Sequence, residues 1–280
     1  MSGFEGAIGA IIAKAEAAKS VADGDYMKDG LLHCGKCNTP KQCHIELFGT
    51  IRTPPCLCKC EKEARDKEEA ERKQREFADK VQQYRNMGFP ESEMKNWTFA
   101  NDDGASPRMT AAMQNYVKHF AEFQKQGKGL LLFGSVGTGK TFHAACIANA
   151  LIDTGVPCLV TNFARIANTV QGLFEGRQEY FDSLNRFPLL VLDDLAAERK
   201  TEWMLETVFN VIDSRYRAKL PLIVTTNLTR EELMNPEDIT YQRIFSRLFE
   251  MCTPIEIAGA DRRHAALKND IAATKQLLGL

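Results

Sequence analysis

The feature that most constrains this chain is a glycine-rich run, GSVGTGKT, at residues 134–141. It follows a short apolar segment, 129–134, and it leads into a helical pattern at about 140–153. The run matches every position of the pattern G-x-x-x-x-G-K-[ST], and a strand before it and a helix after it are the context that this pattern requires. It therefore predicts a loop that binds the phosphates of a nucleotide.

Each residue type in this run has a chemical reason. Glycines let backbone amides curl around the β-phosphate, while the following helix points its positive end at the anion. We expect Lys140 to neutralise β- and γ-phosphate oxygens and the Thr141 hydroxyl to take a coordination position on Mg²⁺. The predicted nucleotide-binding residues of the loop are Gly134, Ser135, Val136, Gly137, Thr138, Gly139, Lys140 and Thr141.

Apolar runs alternate with helical patterns through the rest of the chain. The predicted strands are 129–134, 158–163, 189–195 and 220–227, and the predicted helices are 140–153, 164–174 and 205–217. Strand runs separated by helices predict a parallel sheet covered on both faces. Residues 96–280 are therefore expected to form one α/β domain of the P-loop NTPase type.

Acidic and amide side chains follow two of the predicted strands. An acid at the end of an apolar strand can hold the metal, and we expect Asp193 to contact Mg²⁺ through water. Asp194 is the candidate to orient and deprotonate the attacking water. Asn227 ends the next strand, where it would lie beside the γ-phosphate and hydrogen-bond the same water. Together these residues predict ATP hydrolysis.

Four arginines lie in two runs downstream of the strands, RIFSRLF at 243–249 and ADRR at 260–263; they are Arg243, Arg247, Arg262 and Arg263. An arginine supplied to the γ-phosphate, sometimes by a neighbouring subunit, stabilises charge in the transition state. Arg247 is our candidate for this catalytic role, so we expect a weak ATPase that needs self-association or a partner. The alternative for all four is a surface salt bridge, because charged side chains mostly lie in water.

The location of the protein is predicted from what the sequence lacks. No segment approaches the roughly 18 consecutive apolar residues of a membrane helix, and Glu5 lies where a signal peptide carries positive charge. We expect a cytoplasmic protein without membrane contact. Its 36 basic and 37 acidic residues give a net charge of −1, which excludes nucleic-acid binding through bulk basicity and leaves a local basic patch as the alternative.

Six of the nine cysteines fall between residues 34 and 60. In a reducing compartment such a cluster predicts a metal site before it predicts disulfides. Two close-spaced pairs satisfy the tetrahedral geometry of zinc, which would supply the folding energy that segment 31–60 lacks. Cys34 and Cys37 form one pair; two of Cys56, Cys58 and Cys60 form the other, with Cys58 and Cys60 favoured. His33, Cys43 and His44 are spare candidates, and free thiols or an iron–sulfur cluster are the alternatives.

Two helical segments flank this cysteine-rich module. Residues 3–22 repeat apolar positions at helical spacing, which predicts an amphipathic helix within segment 1–30. Sixteen of the 25 residues in 61–85 are charged with interleaved signs, and Glu71 precedes Arg75 by four positions. This pattern predicts a solvated connecting helix over 61–95.

The ordered motifs GSVGTGKT, LLVLDDL, LIVTTN, SRL and ADRR resemble those of AAA+ ATPases of the initiator and loader clade. The resemblance is strongest to DnaC-type replicative helicase loaders that carry a cysteine-rich N-terminal module, and it covers the chain from about Cys34 onward. It implies that Asn227 is the sensor-1 residue and Arg247 an arginine finger acting in trans. It also implies that Arg263, or Arg262 in its place, is the sensor-2 residue that reads the bound nucleotide.

The resemblance also implies a function, namely an ATP-dependent loader that binds a hexameric replicative DNA helicase and places it on single-stranded DNA. About 17 residues follow Arg263, so we expect no large helical lid, and a loader or adaptor fits better than a self-sufficient motor. Phe163, Arg165 and Arg177 are candidates for stacking on DNA and neutralising its phosphates. Core packing is the alternative for Phe163.

Two other functions share this ATPase core. One is a helper ATPase of DNA transposition, of the IstB type, that polymerises on duplex DNA. The other is a nucleotide-gated adaptor in which hydrolysis is incidental, although an intact set of Asp194, Asn227 and Arg247 argues against it. The cysteine-rich module and its charged connector favour the loader.

Overall fold

The computed structural model describes residues 22–47, 49–89, 93–173, 175–196, 201–262 and 274–278. They belong to two compact units, Met1–Ala78 and Asp79–Leu280. The helix predicted over residues 3–22 lies outside the described residues except for its last position, and Arg263 lies outside them as well. In the described part of the chain, no helix combines the length and the apolar character needed to cross a bilayer.

Two antiparallel hairpins form the first unit. Their strands are β1 (Tyr26–Lys28), β2 (Leu31–His33), β3 (Ile45–Leu47) and β4 (Thr50–Arg52). Asp29 and Gly30 join β1 to β2 with φ angles of 51° and 75°, the backbone of a tight two-residue hairpin turn. Because β1 pairs with β2, the hairpin module begins ahead of the boundary at residue 31 that the sequence predicts.

Little apolar surface is buried in this unit. Among its described residues the buried side chains are Leu32, His33, Cys34, Gln42 and Cys58. The buried Gln42 side chain stabilises β2, because its Oε1 accepts a hydrogen bond from the Leu32 amide at 2.9 Å. A core this small supplies little folding energy by burial alone, as the composition of segment 31–60 predicts.

The charged segment forms one helix that continues from the first unit into the second. This helix is α1 (Lys59–Gly88). Glu71 and Arg75 make the predicted pair at 3.5 Å, an exposed contact that adds only tenths of a kcal/mol. Val81 and Tyr84 in the last turns pack against the core of the second unit, whereas Phe77 is exposed.

A five-stranded parallel sheet organises the second unit. Its strands are β5 (Gly129–Phe133), β6 (Cys158–Asn162), β7 (Leu189–Leu195), β8 (Leu222–Thr226) and β9 (Cys252–Glu256). They are arranged in the order β6-β7-β8-β5-β9, and every neighbouring pair is parallel. The predicted parallel α/β fold is confirmed. The sequence does not predict β9, an edge strand that contains Pro254, and a missing amide is tolerated on an edge strand.

Helices cover both faces of the sheet. They are α2 (Pro107–Lys118), α3 (Phe120–Gln126), α4 (Lys140–Asp153), α5 (Phe163–Gln171), α6 (Arg177–Leu184), α7 (Glu202–Ala218), α8 (Arg230–Met234) and α9 (Ile239–Met251), with 3₁₀ turns at Glu93–Asn96 and Phe99–Asn101. Helix α4 has the predicted bounds. The sequence does not predict helix α6, because only Phe181 and Leu184 of its eight residues are buried.

Alternate residues of each central strand face opposite cores. Leu130 and Leu132 of β5 pack with α2, α3 and α4, while Leu131 and Phe133 pack with the helices on the other face. Burial on both faces is why these strands appear in the sequence as continuous apolar runs. Parallel strands bring their carboxyl ends to one edge of the sheet, which is where an open α/β sheet presents its ligand site.

Candidate nucleotide site and cysteine cluster

The loop between β5 and α4, residues 134–139, requires glycine at three positions, and at Gly134 a Cβ would lie 2.7 Å from the Ile257 carbonyl oxygen. Gly137 and Gly139 have φ angles of 77° and 96°, in the left-handed region. A Cβ on Gly137 would lie 1.9 Å from the Asp261 carboxylate, and a Cβ on Gly139 would lie 3.3 Å from Cζ of Arg262. Glycine is therefore the residue that permits both the backbone conformation and the close approach of the segment after β9.

Lys140 is drawn into this loop. Its side chain is 6% exposed, and Nζ donates to the carbonyls of Gly134 at 2.9 Å and Ser135 at 2.6 Å. Thr138 ties the loop further, because its hydroxyl donates to the Ser135 carbonyl at 3.0 Å. A buried ammonium group at the start of a helix is a strong site for an anion. The loop thus fits the phosphates of a nucleotide.

A cavity of about 380 Å³ opens beside the loop at the carboxyl edge of the sheet. It is lined by Trp97, Asn101, Asp103, Val136, Gly137, Gly139, Lys140, Thr141, Phe142, Asp193, Asp194, Thr225, Asn227 and Arg262. Most of the residues that the sequence selects for nucleotide chemistry therefore surround a single cavity. Gly134, Ser135 and Thr138 belong to the loop without lining it.

Asp193 accepts hydrogen bonds from two hydroxyl groups. Thr141 donates to Oδ1 of Asp193 at 2.8 Å, and Thr225 donates to the same oxygen at 2.6 Å. Hydroxyl and carboxylate oxygens are hard donors of the kind that Mg²⁺ takes. The donor set at Thr141 and Asp193 therefore fits the metal that the phosphate loop implies.

Asp194 and Asn227 form a pair at the mouth of the cavity. The register between β7 and β8 shifts between Leu192 and Leu195, and Asp194 has a φ of 61° within that bulge. The Asp194 amide donates to the Thr225 hydroxyl at 2.9 Å, and its carboxylate accepts from Nδ2 of Asn227 at 2.8 Å. The bulge thus turns Asp194 away from Asp193 and towards Asn227, on the exposed side of the site.

Arg262 reaches the cavity from the segment that follows β9. Its Nη1 lies 3.3 Å from a carboxylate oxygen of Asp102 and 3.0 Å from one of Asp103. The sequence offers Arg262 as the alternative to Arg263 for the residue that reads the bound nucleotide. The first choice, Arg263, lies outside the described residues.

Arg247 does not lie at the cavity of its own chain. It is on α9, where Nε donates to Asp213 at 2.7 Å. Its guanidinium stacks over the rings of Phe209 and Tyr216, with centroid distances of 4.6 and 5.7 Å. A contribution of Arg247 to hydrolysis therefore needs the site of another copy.

Sequence reasoning missed the aromatic end of the cavity. Trp97 and Phe142 have ring centroids 6.1 Å apart, and both line the cavity. Fully buried Asn149 fixes Trp97, because its Nδ2 donates to the carbonyls of Met94 at 2.8 Å and Trp97 at 2.9 Å. The segment is built from short 3₁₀ turns without periodicity, so tryptophan itself is the only sequence signal.

Four cysteines of the first unit converge. The sulfur atoms of Cys34, Cys37, Cys58 and Cys60 all lie within 4.8 Å of one another. Cys60 is 3.6 Å from Cys34 and 3.3 Å from Cys58. Zinc–sulfur bonds of about 2.3 Å in a tetrahedron separate sulfurs by about 3.8 Å. The cluster therefore fits a tetrahedral zinc ion.

The other candidates lie outside this cluster. Cys56 and Cys43 direct their thiols at backbone carbonyls, at 3.7 and 3.8 Å. The His33 ring contacts the Leu31 carbonyl at 3.1 Å, and His44 is exposed. Of the three cysteines that the sequence left open for the second pair, the structure brings Cys58 and Cys60 to Cys34 and Cys37, and leaves Cys56 apart.

The cluster combines thiols of different acidity. Hydrogen bonds from the Thr39 hydroxyl and the Cys60 backbone lower the pKa of Cys37 to about 5, whereas burial raises the pKa of Cys58. Thiolate is the form of cysteine that binds metal. The hydrogen bonds of Cys37 therefore favour the form of this thiol that binds metal.

Among the residues suggested for DNA contact, Phe163 is 1% exposed and belongs to the core. Its stacking on DNA is therefore excluded, because the ring is enclosed between the sheet and the helices. Arg165 and Arg177 are exposed, at the start of α5 and α6 respectively. Their contact with DNA stays a prediction.

Comparison with known proteins gives three findings. A family model described as IstB-like ATP binding protein matches residues 62–269. The replicative helicase loader DnaI of Bacillus subtilis (strain 168) is 29% identical over 182 residues, which cover 60% of this chain and 58% of DnaI. An insertion sequence ATP-binding protein of Sinorhizobium fredii (strain NBRC 101917 / NGR234) is 33% identical over 135 residues, 46% of this chain and 43% of that protein. The chain thus spans about half the length of these relatives.

The solved structures agree with the fold. The crystal structure of the DnaC helicase loader matches with a TM-score of 0.51 at 24% identity, over 60% of this chain and 100% of that chain. The matched family segment begins after Cys60. The family match therefore includes the phosphate loop and the parallel sheet, and the cysteine cluster lies ahead of it.

Proposed function

The chain belongs to the family of IstB-like ATP binding proteins, and on that premise we propose that it is an ATP-dependent loader that binds a replicative DNA helicase and places it on single-stranded DNA. One observation carries this proposal. A phosphate-binding loop beside a cavity and a separate four-cysteine cluster occur on one chain that is similar to the helicase loader DnaI over 60% of its length.

The nucleotide site supplies the hydrolytic part of this function. The loop amides and Lys140 would hold the phosphates, and Thr141 and Asp193 would hold Mg²⁺, which neutralises charge on the phosphates when it is bound. Asp194 accepts a proton from water at the mouth of the cavity, and Asn227 orients that water. The hydrogen bond from Asn227 to Asp194 keeps both groups directed at one point.

Self-association completes the site. Arg247 lies on α9 away from the cavity of its own chain, so we assign it to the cavity of a neighbouring copy. There its guanidinium would stabilise charge on the transferred phosphoryl group. Hydrolysis by the isolated chain is accordingly weak and rises when copies assemble or when a partner brings them together.

The first unit supplies the grip on the helicase. Zinc held by Cys34, Cys37, Cys58 and Cys60 would fix a unit that buries little apolar surface. Several large apolar side chains are exposed there, which is typical of a protein-binding surface. They are Tyr26, Met27, Ile51, Leu57 and Phe77.

A second candidate function is a helper ATPase of DNA transposition. The relative from Sinorhizobium fredii, an insertion sequence ATP-binding protein, favours it. Such a helper would assemble on duplex DNA and would not need the helicase. The cysteine cluster favours the loader, because it adds a separate surface ahead of the family segment.

Size-exclusion chromatography of the full chain with a hexameric replicative helicase distinguishes the two. We expect co-elution with the helicase in ATP and Mg²⁺, and its loss in Cys37→Ser. Cys56→Ser, outside the cluster, is the matched control and should co-elute normally. Filaments on duplex DNA together with no helicase binding would instead support the transposition helper.

A further inference from the structure

Arg247 is held from three directions within its own chain. Its Nε donates to Oδ1 of Asp213 at 2.7 Å, and its Nη1 donates to the Arg243 carbonyl at 3.3 Å. The guanidinium plane lies over the rings of Phe209 and Tyr216. A long, flexible side chain is therefore confined to one orientation.

Asp213 is an unusual partner because it is nearly buried. Its side chain is 6% exposed, and its two oxygens bind different arginines, Arg247 and Arg217. Burial disfavours the charged carboxylate, but these two guanidinium groups hold its pKa below the ordinary value of 3.8. At neutral pH Asp213 is ionised, and a buried carboxylate of this kind is stable only while it is paired.

The contact with Asp213 leaves part of the guanidinium available. Asp213 binds Nε, and no hydrogen bond from Nη2 occurs among the described residues. The Arg247 side chain is 26% exposed, so this end can meet another molecule. Arg243 stacks on the same Phe209 ring at 4.6 Å, but it is exposed and has no carboxylate partner within the part of the chain described.

We propose that Asp213 is a positioning residue, which presents the free end of Arg247 to the nucleotide site of a neighbouring copy. This inference rests on the proposed trans-acting role of Arg247. An arginine that stabilises charge in another active site must arrive in a fixed orientation, since small displacements of a catalytic group cost large factors in rate. The buried carboxylate and the two rings provide that orientation before the copies meet.

Variants of Asp213 separate positioning from folding. Asp213→Ala should lower the turnover of the assembled protein by about 100-fold while the Kd for ATP stays unchanged. Asp213→Asn keeps an acceptor oxygen for Nε and should retain an intermediate rate. Arg217→Ala removes the other, 78% exposed partner of Asp213; as the matched control it should keep the wild-type rate.

Mixing two inactive chains tests whether Asp213 acts in trans. Lys140→Ala lacks a working site but keeps Arg247 and Asp213, whereas Asp213→Ala keeps a working site. A mixture of the two should regain turnover, because one chain supplies the arginine and the other the nucleotide. The mixture of Lys140→Ala with Arg247→Ala is the reference and should regain turnover in the same way.

The reference mixture keeps the two proposals distinguishable. If it stays inactive, the trans-acting role of Arg247 fails, and this inference fails with it. If the reference recovers while the Asp213→Ala mixture does not, only the role of Asp213 is overturned. A wild-type rate in Asp213→Ala would also overturn the role of Asp213. Loss of ATP binding in both Asp213 variants would overturn it as well, because Asp213 would then be needed for folding.

Discussion

The side-chain amide of Asn227 donates a hydrogen bond to the carboxylate of Asp194 over 2.8 Å. The two residues end adjacent strands, β8 and β7, and the bulge at Asp194 is what makes them meet. A carboxylate and an amide fixed side by side at the carboxyl edge of a parallel sheet can both contact one water molecule. This pair is the candidate hydrolytic centre of the protein.

Replacement of Asp194 should separate hydrolysis from binding. Asp194→Asn removes the proton acceptor but keeps the shape of the side chain, so we expect turnover to fall by at least about 100-fold. The Kd for ATP should change by less than about threefold, because the hydrogen bonds of Asp194 join it to Thr225 and Asn227. Phosphate release and titration with a fluorescent ATP analogue measure the two quantities. Equal losses in both would assign Asp194 to binding instead.

The fluorescence of Trp97 should report contact with the base of a bound nucleotide. The chain has two tryptophans, so Trp203→Phe leaves Trp97 as the sole tryptophan emitter. In this background ATP should quench or shift the emission, because Trp97 lines the cavity beside Phe142. Trp97→Ala should weaken binding of ATP by roughly tenfold, given about 1–3 kcal/mol per base–aromatic stack, and leave pyrophosphate binding unaltered. Equal weakening of both ligands would exclude a base contact.

Asp102 should contribute stability that depends on pH. Burial acts to raise its pKa, but the hydrogen bond from Thr110 and the charge of Arg262 lower it below 3.8. A depressed pKa contributes stability above the unfolded value and loses it as the pH falls. Asp102→Asn should therefore lower the free energy of unfolding by about 1.5–3 kcal/mol at pH 7, and by progressively less below about pH 4. Urea unfolding of the wild-type protein and the variant, at pH 7 and below about pH 4, measures the difference in the free energy of unfolding. A difference that does not change with pH would contradict the prediction.

Metal content should follow the four clustered sulfurs. Cys37→Ser and Cys58→Ser each remove one ligand from the tetrahedral set, so both should lose zinc in a chelator competition followed by elemental analysis. Cys56→Ser and Cys43→Ser are matched controls within the same module and should keep one zinc per chain. Zinc loss in the Cys56 variant with retention in the Cys58 variant would move the site to the other candidate set.

The sheet and the phosphate loop follow from local sequence. Strands buried on both faces are continuous apolar runs, as in Leu130–Phe133, and the loop after such a strand has a fixed glycine pattern. Helix α4 accordingly has its predicted bounds, and β5 ends at Phe133, one residue before its predicted end. The paired spacing of Cys34 with Cys37 and of Cys58 with Cys60 likewise indicated the cluster. These signals come from residues that are close together in the sequence, so they can be recognised before the fold is known.

Contacts between residues far apart in the sequence cannot be predicted in this way. Arg215 is fully buried, and its guanidinium donates to the carbonyls of Phe187 at 2.8 Å and Pro188 at 3.2 Å. Composition alone would place an arginine in water. Asp102 with Arg262 and Asp213 with Arg247 join residues far apart in the chain, so only the assembled fold shows which arginine reaches the cavity.

The most direct test of the proposed function is helicase loading itself. The full chain, ATP and a hexameric replicative helicase are combined with circular single-stranded DNA that is coated with single-strand binding protein and carries a short labelled duplex, and strand release is measured. We expect unwinding to require the chain and to be lost with Lys140→Ala, whose phosphate loop lacks its ammonium group. Equal unwinding with and without the chain, or with the Lys140 variant, would contradict the loader function.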